Sequence, residues 1–324
     1  MYPLIELTQR RGRLHLPSGP ASVRPDACAV ARAGASDKRL ILSFTVGSPT
    51  PRPLTFPEFL FERNVFRPER TFQPTPNTMA NPRFYIDAPD ETFEGTVTLP
   101  PKAAHHAGRA LRLASGERVD LFNGRGKLWS GTIEFTAESA LVHVDRIEEP
   151  PVESPVRMTL VQSWVSPEKM DWIVEKATEA GVSHIVVTPA ERSVTRLSGD
   201  RLEKRLAKLR ETARAAAEQC GRNVIPSVDG AANFDEALRT EGALRILLAP
   251  GAKADAPRPA IEPGLSSIVF AVGPEGGFSP AEIERAEEAG WHPTLLGPRV
   301  FRTETAGLAC AVWVSTLAGD FPKR

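Results

Sequence analysis

From Met158 onward, short apolar runs alternate with longer segments whose apolar residues recur every three or four positions, and this alternation leaves the chain few folds to adopt. Met158–Val165 reads as a buried strand. Ser166 and Pro167 supply an N-cap and a first helical residue, and Met170, Ile173, Val174 and Ala177 form one helix face. Gly181 stands where a helix C-terminus favours glycine. A strand at His184–Thr188 follows, then a helix at about 200–220 with Leu202, Leu206, Leu209 and Ala213 inward. Further strands are predicted at Leu244–Leu248, Ile268–Val272 and Pro293–Leu296, with helices between and after them. Strands separated by helices predict an α/β domain, its mostly parallel sheet covered on both faces. The apolar run Ala306–Leu317 is too short to cross a bilayer and reads as a buried helix.

Upstream the texture differs. Between Arg83 and Glu149, short stretches of alternating pattern dominate (Arg83–Ile86, Val119–Phe122, Leu128–Phe135, Ala140–Ile147), punctuated by Gly116, Gly124, Gly126 and Gly131. That is the pattern of a small β-barrel, here interrupted by one helix at about Pro101–Leu111. Pro150, Pro151 and Pro155 mark a linker, which divides the chain into domains at 79–150 and 151–324. Residues 1–78 carry 11 of the 30 prolines and eleven Lys/Arg against six Asp/Glu, with no sustained period of 2 or 3.6. They read as a disordered segment or an upstream over-extension of the reading frame, because Met79 opens a natural start. Six acids argue against a transit peptide.

Composition excludes several classes. Hydrophobic content of 41% and charged content of 25% are those of an ordinary folded protein. A formal net charge of zero gives no bulk argument for a nucleic-acid partner, so any such argument rests on charge distribution. The three cysteines, Cys28, Cys220 and Cys310, lack CxxC spacing and suit a reducing, cytoplasmic setting; no metal constellation is expected.

Two stretches carry chemistry. Gly273-Pro274-Glu275-Gly276-Gly277-Phe278-Ser279-Pro280-Ala281-Glu282 leaves an apolar strand and enters a helix, with Ser279 and Glu282 spaced as a capping box. Its glycines let a backbone approach a ligand at a strand's carboxyl end, where open α/β sheets bind. Without a ligand, the same residues are simply a tight strand-to-helix turn, and neither a dinucleotide fingerprint nor a phosphate loop is present. The second stretch, Leu296-Gly297-Pro298-Arg299-Val300-Phe301-Arg302-Thr303-Glu304-Thr305-Ala306, again joins an apolar strand to an apolar helix. Its Arg and Glu mark either a binding loop or a capped helix start.

Together the two stretches resemble the RsmE family of SPOUT methyltransferases. The similarity continues in Glu175-Lys176-Ala177-Thr178-Glu179-Ala180-Gly181, in Glu191-Arg192-Ser193 and in Ala217-Glu218-Gln219-Cys220-Gly221-Arg222. Upstream it takes in Arg83-Phe84-Tyr85, His106 with Arg109, Leu111-Arg112 and Leu121-Phe122-Asn123-Gly124, so that about residues 80–320 are covered in order. Phe301 stands where leucine is usual in the family, Ala180 where leucine is frequent, and Asn123 where aspartate is frequent. Residues 1–78 have no counterpart.

The resemblance implies a PUA-like β-barrel before a SPOUT α/β domain with a C-terminal trefoil knot. It also implies S-adenosyl-L-methionine as cofactor, N3 of a uridine in 16S ribosomal RNA as target, the 30S subunit as context and a homodimer as the working form. Cofactor-binding positions would then be Leu248, Pro250, Gly273, Pro274, Glu275, Gly276, Gly277, Leu296, Gly297, Val300, Phe301, Arg302 and Thr303. RNA-binding positions would be Arg83, Tyr85, His106, Arg109, Arg112, Arg192, Ser193, Gln219 and Arg222. Residues alone add that 192–222 hold nine Lys/Arg against four Asp/Glu, a basic island whose cations suit phosphates or a solvated helix face. His105 and His106 read as a helix-surface pair rather than as catalysts.

Methylation at N3 requires loss of the N3 proton. Arg302 suits stabilisation of the charge that spreads onto the uracil oxygens, because its guanidinium stays charged and donates in a fixed fork. Glu304 is the candidate proton acceptor and ranks second, because an ordinary carboxylate is a weak base. Two rival readings remain open at the level of sequence. One is an RNA-binding scaffold without catalysis, against which two glycine-bearing loops and an Arg-Thr-Glu-Thr cluster speak. The other is a SPOUT relative acting on ribose 2′-O or on tRNA, against which the preceding barrel and the Glu218, Gln219, Arg222 group speak.

Overall fold

A computed structural model describes residues 81–88, 95–250, 259–262, 264–318 and 320–321, together with five strands of two to four residues between Ile5 and Ser43. Those five strands belong to a separate unit, Met1–Thr75, and pair antiparallel as a three-stranded and a two-stranded sheet. Apart from them, the reading of residues 1–78 as disordered or over-extended lies outside the described residues.

The second unit begins at Pro76 and opens with a five-stranded sheet. Its strands are β1 (Arg83–Tyr85), β2 (Gly95–Thr98), β3 (Arg118–Phe122), β4 (Leu128–Phe135) and β5 (Ala140–Glu148), in the order β1-β3-β4-β5-β2. All pairings are antiparallel except β1 with β3. Alternation puts Val119, Leu121, Trp129, Ile133 and Val142 on one buried face with Phe84. Gly131 is obligatory there, because a Cβ would lie 2.2 Å from His143 O on the paired strand. Strand β2 carries no clear sequence signal, since Gly-Thr-Val-Thr is short and mostly exposed. The predicted helix over Pro101–Leu111 is α1 (Pro101–His105) continued as a π-helical turn through Ala110.

After the linker come β6 (Arg157–Ser163), α2 (Pro167–Glu179), β7 (His184–Thr188), α3 (Gly199–Cys220), β8 (Ser227–Gly230), α4 (Phe234–Ala237) and β9 (Leu244–Leu248). Then follow β10 (Ser267–Val272), α5 (Pro280–Glu288), β11 (His292–Thr294) and α6 (Thr303–Ala318). The six strands form one wholly parallel sheet in the order β8-β7-β6-β10-β9-β11. Strand side chains alternate between its faces. Leu160, Ile185, Ile246 and Phe270 pack under α2, α3 and α6, whereas Val161, Val186, Leu247 and Val269 pack under α4 and α5. Both faces are therefore buried, which a parallel sheet requires. The last strand is shorter and earlier than the predicted Pro293–Leu296: it pairs only over His292–Thr294, and Leu295 and Leu296 turn away to line a cavity.

Helix starts repeat the sequence signals with one exception. Ser279 Oγ accepts from Glu282 N (3.1 Å) while Ser279 N donates to Glu282 Oε2 (2.8 Å), a complete capping box. Buried Glu282 also accepts from Glu191 N (2.8 Å), so the box ties the loop after β7 to α5. Ser166, by contrast, makes no side-chain cap, and Pro167 alone starts α2.

Candidate active site

At the carboxyl ends of β9 and β10, the chain encloses a cavity of about 360 Å³. Leu248 and Pro250 reach it from the end of β9, and Gly273, Pro274, Glu275 and Gly277 from the turn after β10. Leu296, Val300, Phe301 and Arg302 close it from the segment before α6, and Thr303, Glu304 and Ala306 from the first turn of that helix. Lys169 and Ala306, 137 positions apart, both line it, so distant segments converge on one space. The wall is mostly apolar, and the convergent polar groups number few, the usual make-up of a small-molecule site.

Two of the cofactor positions named from sequence stand outside this lining. Gly276 faces Arg192: a Cβ there would meet Arg192 Cβ at 3.2 Å, and the residue borders an adjoining depression that shares Pro250, Glu275 and Gly277 with the cavity. Gly297 is not among the lining residues either. Gly277 is the constrained glycine of the pair, with φ +65° and nothing within 4 Å of a Cβ position.

The two loops are bolted together beneath the cavity. Thr303 Oγ1 donates to Gly273 O (2.5 Å) and accepts from Gln162 Nε2 (3.2 Å), which also reaches Ser163 O (3.0 Å). Thr303 therefore crosslinks the loops instead of capping its own helix. Gln162 is fully buried at the end of β6, and nothing in its local sequence marks it. It holds the start of α6 against the central strand.

Lys169, in the first turn of α2, is a second residue that sequence reasoning missed. Its Nζ donates to Glu275 Oε1 at 2.9 Å and lies 3.7 Å from Glu304 Oε2, so one ammonium joins both loops at the cavity wall. The Glu275 hydrogen bond, assisted by the charges of Glu275 and Glu304, holds Lys169 above its ordinary pKa. Burial pushes the Glu275 carboxyl up, but its bond to Lys169 and a backbone hydrogen bond outweigh that and hold it below the usual range. Glu304 Oε2 is itself buried and has no hydrogen-bond donor. Position at the carboxyl end of a parallel strand is the one available signal for Lys169.

The positions named for RNA contact fall into two groups. His106, Arg109, Arg112 and Gln219 are exposed. Arg192 is exposed as a residue but donates to Gly276 O (3.0 Å) and Phe278 O (3.3 Å), bracing the outer side of the glycine turn. Ser193 is buried and accepts from Ala190 N. Arg83 donates to Arg222 O (2.9 Å) and Asn223 Oδ1 (2.6 Å) and lies over the Phe122 ring, while Tyr85 is flanked by Arg214 and bonded through its N–H to Glu218.

Arg222 requires a correction. It is 5% exposed, and its guanidinium donates to Thr178 O (2.8 Å), Val182 O (2.7 Å) and Glu153 Oε2 (2.6 and 2.9 Å). Every face of the fork is occupied by protein, so Arg222 clamps the linker to α2 and α3 and offers nothing to RNA.

Known proteins share this arrangement of domains. The RNA methyltransferase domain family matches residues 152–315, and the RNA methyltransferase PUA domain family matches residues 99–144. The chain is 32% identical over 248 residues to the ribosomal RNA small subunit methyltransferase E of Mycobacterium bovis, covering 73% of this chain and 93% of that one. It is 28% identical over 265 residues to the Bacillus subtilis protein of the same name, covering 74% and 99%. A Neisseria gonorrhoeae ribosomal RNA small subunit methyltransferase E, solved bound to S-adenosyl methionine, superposes with a TM-score of 0.65 at 34% identity over 73% of this chain and 98% of that one.

Proposed function

The chain belongs to the ribosomal RNA small subunit methyltransferase E family, and on that premise we propose that it methylates N3 of a uridine in small-subunit ribosomal RNA. The observation that carries this reading is the 360 Å³ cavity in which the two loops, Arg302 and Glu304 meet.

The residues present fit S-adenosylmethionine. Leu248, Val272, Leu296 and Ala306 offer an apolar wall to a purine ring, and Gly273, Pro274, Glu275 and Gly277 bring the turn after β10 to its edge. Glu304 Oε2, buried and without a donor, is an acceptor left over by the protein's own packing. S-adenosylmethionine, when bound, supplies the methyl group as an electrophile. Arg302 directs its fork at the uracil carbonyl oxygens, where negative charge gathers as N3 loses its proton. Glu304 accepts that proton, and Lys169 holds both loops in place through Glu275 and Glu304. Thr303 and Gln162 fix the angle at which Arg302 enters, because both loops hang from the same buried hydrogen bonds.

Several finer features belong to the same reading. We infer that the C-terminal domain is a trefoil knot, supported by the chain's return from edge strand β11 to α6, which packs beneath the central strands β6 and β10. The five-stranded sheet is read as a PUA-like barrel that guides RNA, with domains at 79–150 and 151–324. A homodimer is supported by Val300 and Phe301, apolar side chains that are 73% and 42% exposed at the cavity mouth. The assembled 30S subunit is the proposed substrate and the cytoplasm the proposed location.

The test is nucleoside analysis by mass spectrometry after incubating unmethylated 30S subunits with the protein and S-adenosylmethionine. N3-methyluridine is the expected product. A ribose 2′-O-methyl nucleoside, or no methylated nucleoside, overturns the reading.

A further inference from the structure

A second cavity, of about 330 Å³, lies on the other side of α2. Trp164 and Val165 form its floor, Leu197 and Thr195 a wall, and Arg201, Lys204, Arg205 and Lys208 its rim. Pro167 borders this cavity and Lys169 the first one. Two residues along a helix are separated by about 200° of rotation, so the first turn of α2 stands between the two spaces.

The rim is a stripe. Arg201, Lys204, Arg205 and Lys208 follow the i, i+3, i+4, i+7 spacing of one helix face, while Leu202, Leu206 and Leu209 of α3 turn toward the core. Like charges at i, i+4 repel, so Arg201 with Arg205 and Lys204 with Lys208 cost the helix stability unless an anion lies against them. Asp171 answers part of that charge: it takes Arg205 at 2.9 Å and Lys208 at 3.1 Å, and Arg205 also donates to Pro167 O. Arg201 and Lys204 pair with no carboxylate among the described residues. Asp200 and Glu203 lie on the same turns but do not line the cavity.

An apolar floor beneath a cationic rim matches one ligand chemistry: a planar apolar ring carrying a phosphate. We propose that this cavity receives a nucleotide flanking the methylated one, its base inserted toward Leu197 and Trp164 and its phosphate held by Arg201 and Lys204. Proteins that read RNA splay out unstacked bases and hold the backbone by its phosphates. Two cavities separated by one helical turn would then grip a strand at two points and present the target base to the first. This inference rests on the RNA-methyltransferase reading above.

The experiment measures RNA affinity without turnover, by filter binding of an unmodified 16S rRNA transcript to the full chain between about 50 and 200 mM salt. Arg201→Gln with Lys204→Gln should weaken binding by at least about tenfold and lower the salt slope by about one, for the one phosphate they hold together. Thr195→Trp, which fills the cavity without changing charge, should weaken binding to a similar degree and leave the slope as it was. Both variants should keep the wild-type melting temperature and calorimetric affinity for S-adenosylmethionine. An unchanged slope in the double variant overturns the phosphate contact, and unchanged affinity in Thr195→Trp overturns the base insertion. Wild-type protein that binds the transcript but methylates nothing defeats the functional reading while the comparison among variants still decides this one. Wild-type protein with no salt-dependent affinity defeats both.

Discussion

Removing the Arg222 side chain separates a structural clamp from an RNA-binding role. In Arg222→Ala, the carbonyls of Thr178 and Val182 lose a charged donor, and the Glu153 carboxylate loses both of its bonds to the guanidinium. The Val182 carbonyl, left without a partner, costs about 1–3 kcal/mol, whereas the Thr178 carbonyl keeps its bond from Gly181 N (3.1 Å) and loses less. The Glu153 side chain is 30% exposed, so its share is screened and adds only about 0.5–1 kcal/mol. The sum, about 2–4 kcal/mol, lowers the melting temperature of a unit this size by roughly 8 °C. Arg222→Lys should recover less than half, because one ammonium cannot serve three acceptors that lie around a planar fork. Scanning calorimetry gives the stability, and filter binding well below the transition gives the RNA affinity, which should stay at the wild-type value. A melting temperature within about 2 °C of wild type, or a tenfold drop in affinity at unchanged stability, would refute the clamp and return Arg222 to the RNA surface.

Three further outcomes follow from the site. Arg302→Ala should slow single-turnover methylation of 30S subunits by about 100- to 1,000-fold at saturating cofactor, with Arg302→Lys rescuing little; a near-normal rate in the alanine variant ends the catalytic assignment. Gly277→Val should weaken calorimetric S-adenosylmethionine binding far more than Gly276→Ala, since Gly277 has a positive φ and lines the cavity whereas a Cβ at 276 meets only Arg192; equal effects argue against that distinction. The Lys169–Glu275 bond has a defined pH window. The Glu275 pKa is depressed, so its contribution is present above 4.5 and lost as pH falls through the lowered value. The Lys169 pKa is raised, so its contribution is present below 10.5 and lost as pH rises through the raised value. Lys169→Met should therefore differ from wild type in melting temperature by a constant amount between about pH 6 and 9, and that difference should shrink in acid; a difference that grows in acid contradicts the assignment.

Local patterning by itself determined the α/β domain. Leu160, Ile185, Ile246 and Phe270 lie on continuous apolar runs, and only a sheet buried on both faces accommodates such runs. The Ser279–Glu282 capping box was equally legible, because both of its hydrogen bonds lie within one turn of helix. The loop residues Gly273–Gly277 and Leu296–Glu304 were marked by their glycines and their Arg-Thr-Glu cluster, and most of them do line one cavity. Tertiary structure alone decided the rest. Gln162 and Lys169 join the site through partners 141 and more than 100 positions away, a separation that no local period records. The family resemblance names Arg222 for RNA, and it counts in the basic island of 192–222, yet its acceptors come from α2, the segment after it and the linker, and only the packing of those three segments buries the fork. Gly276 and Gly277 are adjacent and alike in sequence, but only Gly277 has a positive φ and lines the cavity, while a Cβ at Gly276 would meet Arg192. A side chain's type is written in the chain; which groups surround it depends on how distant segments meet.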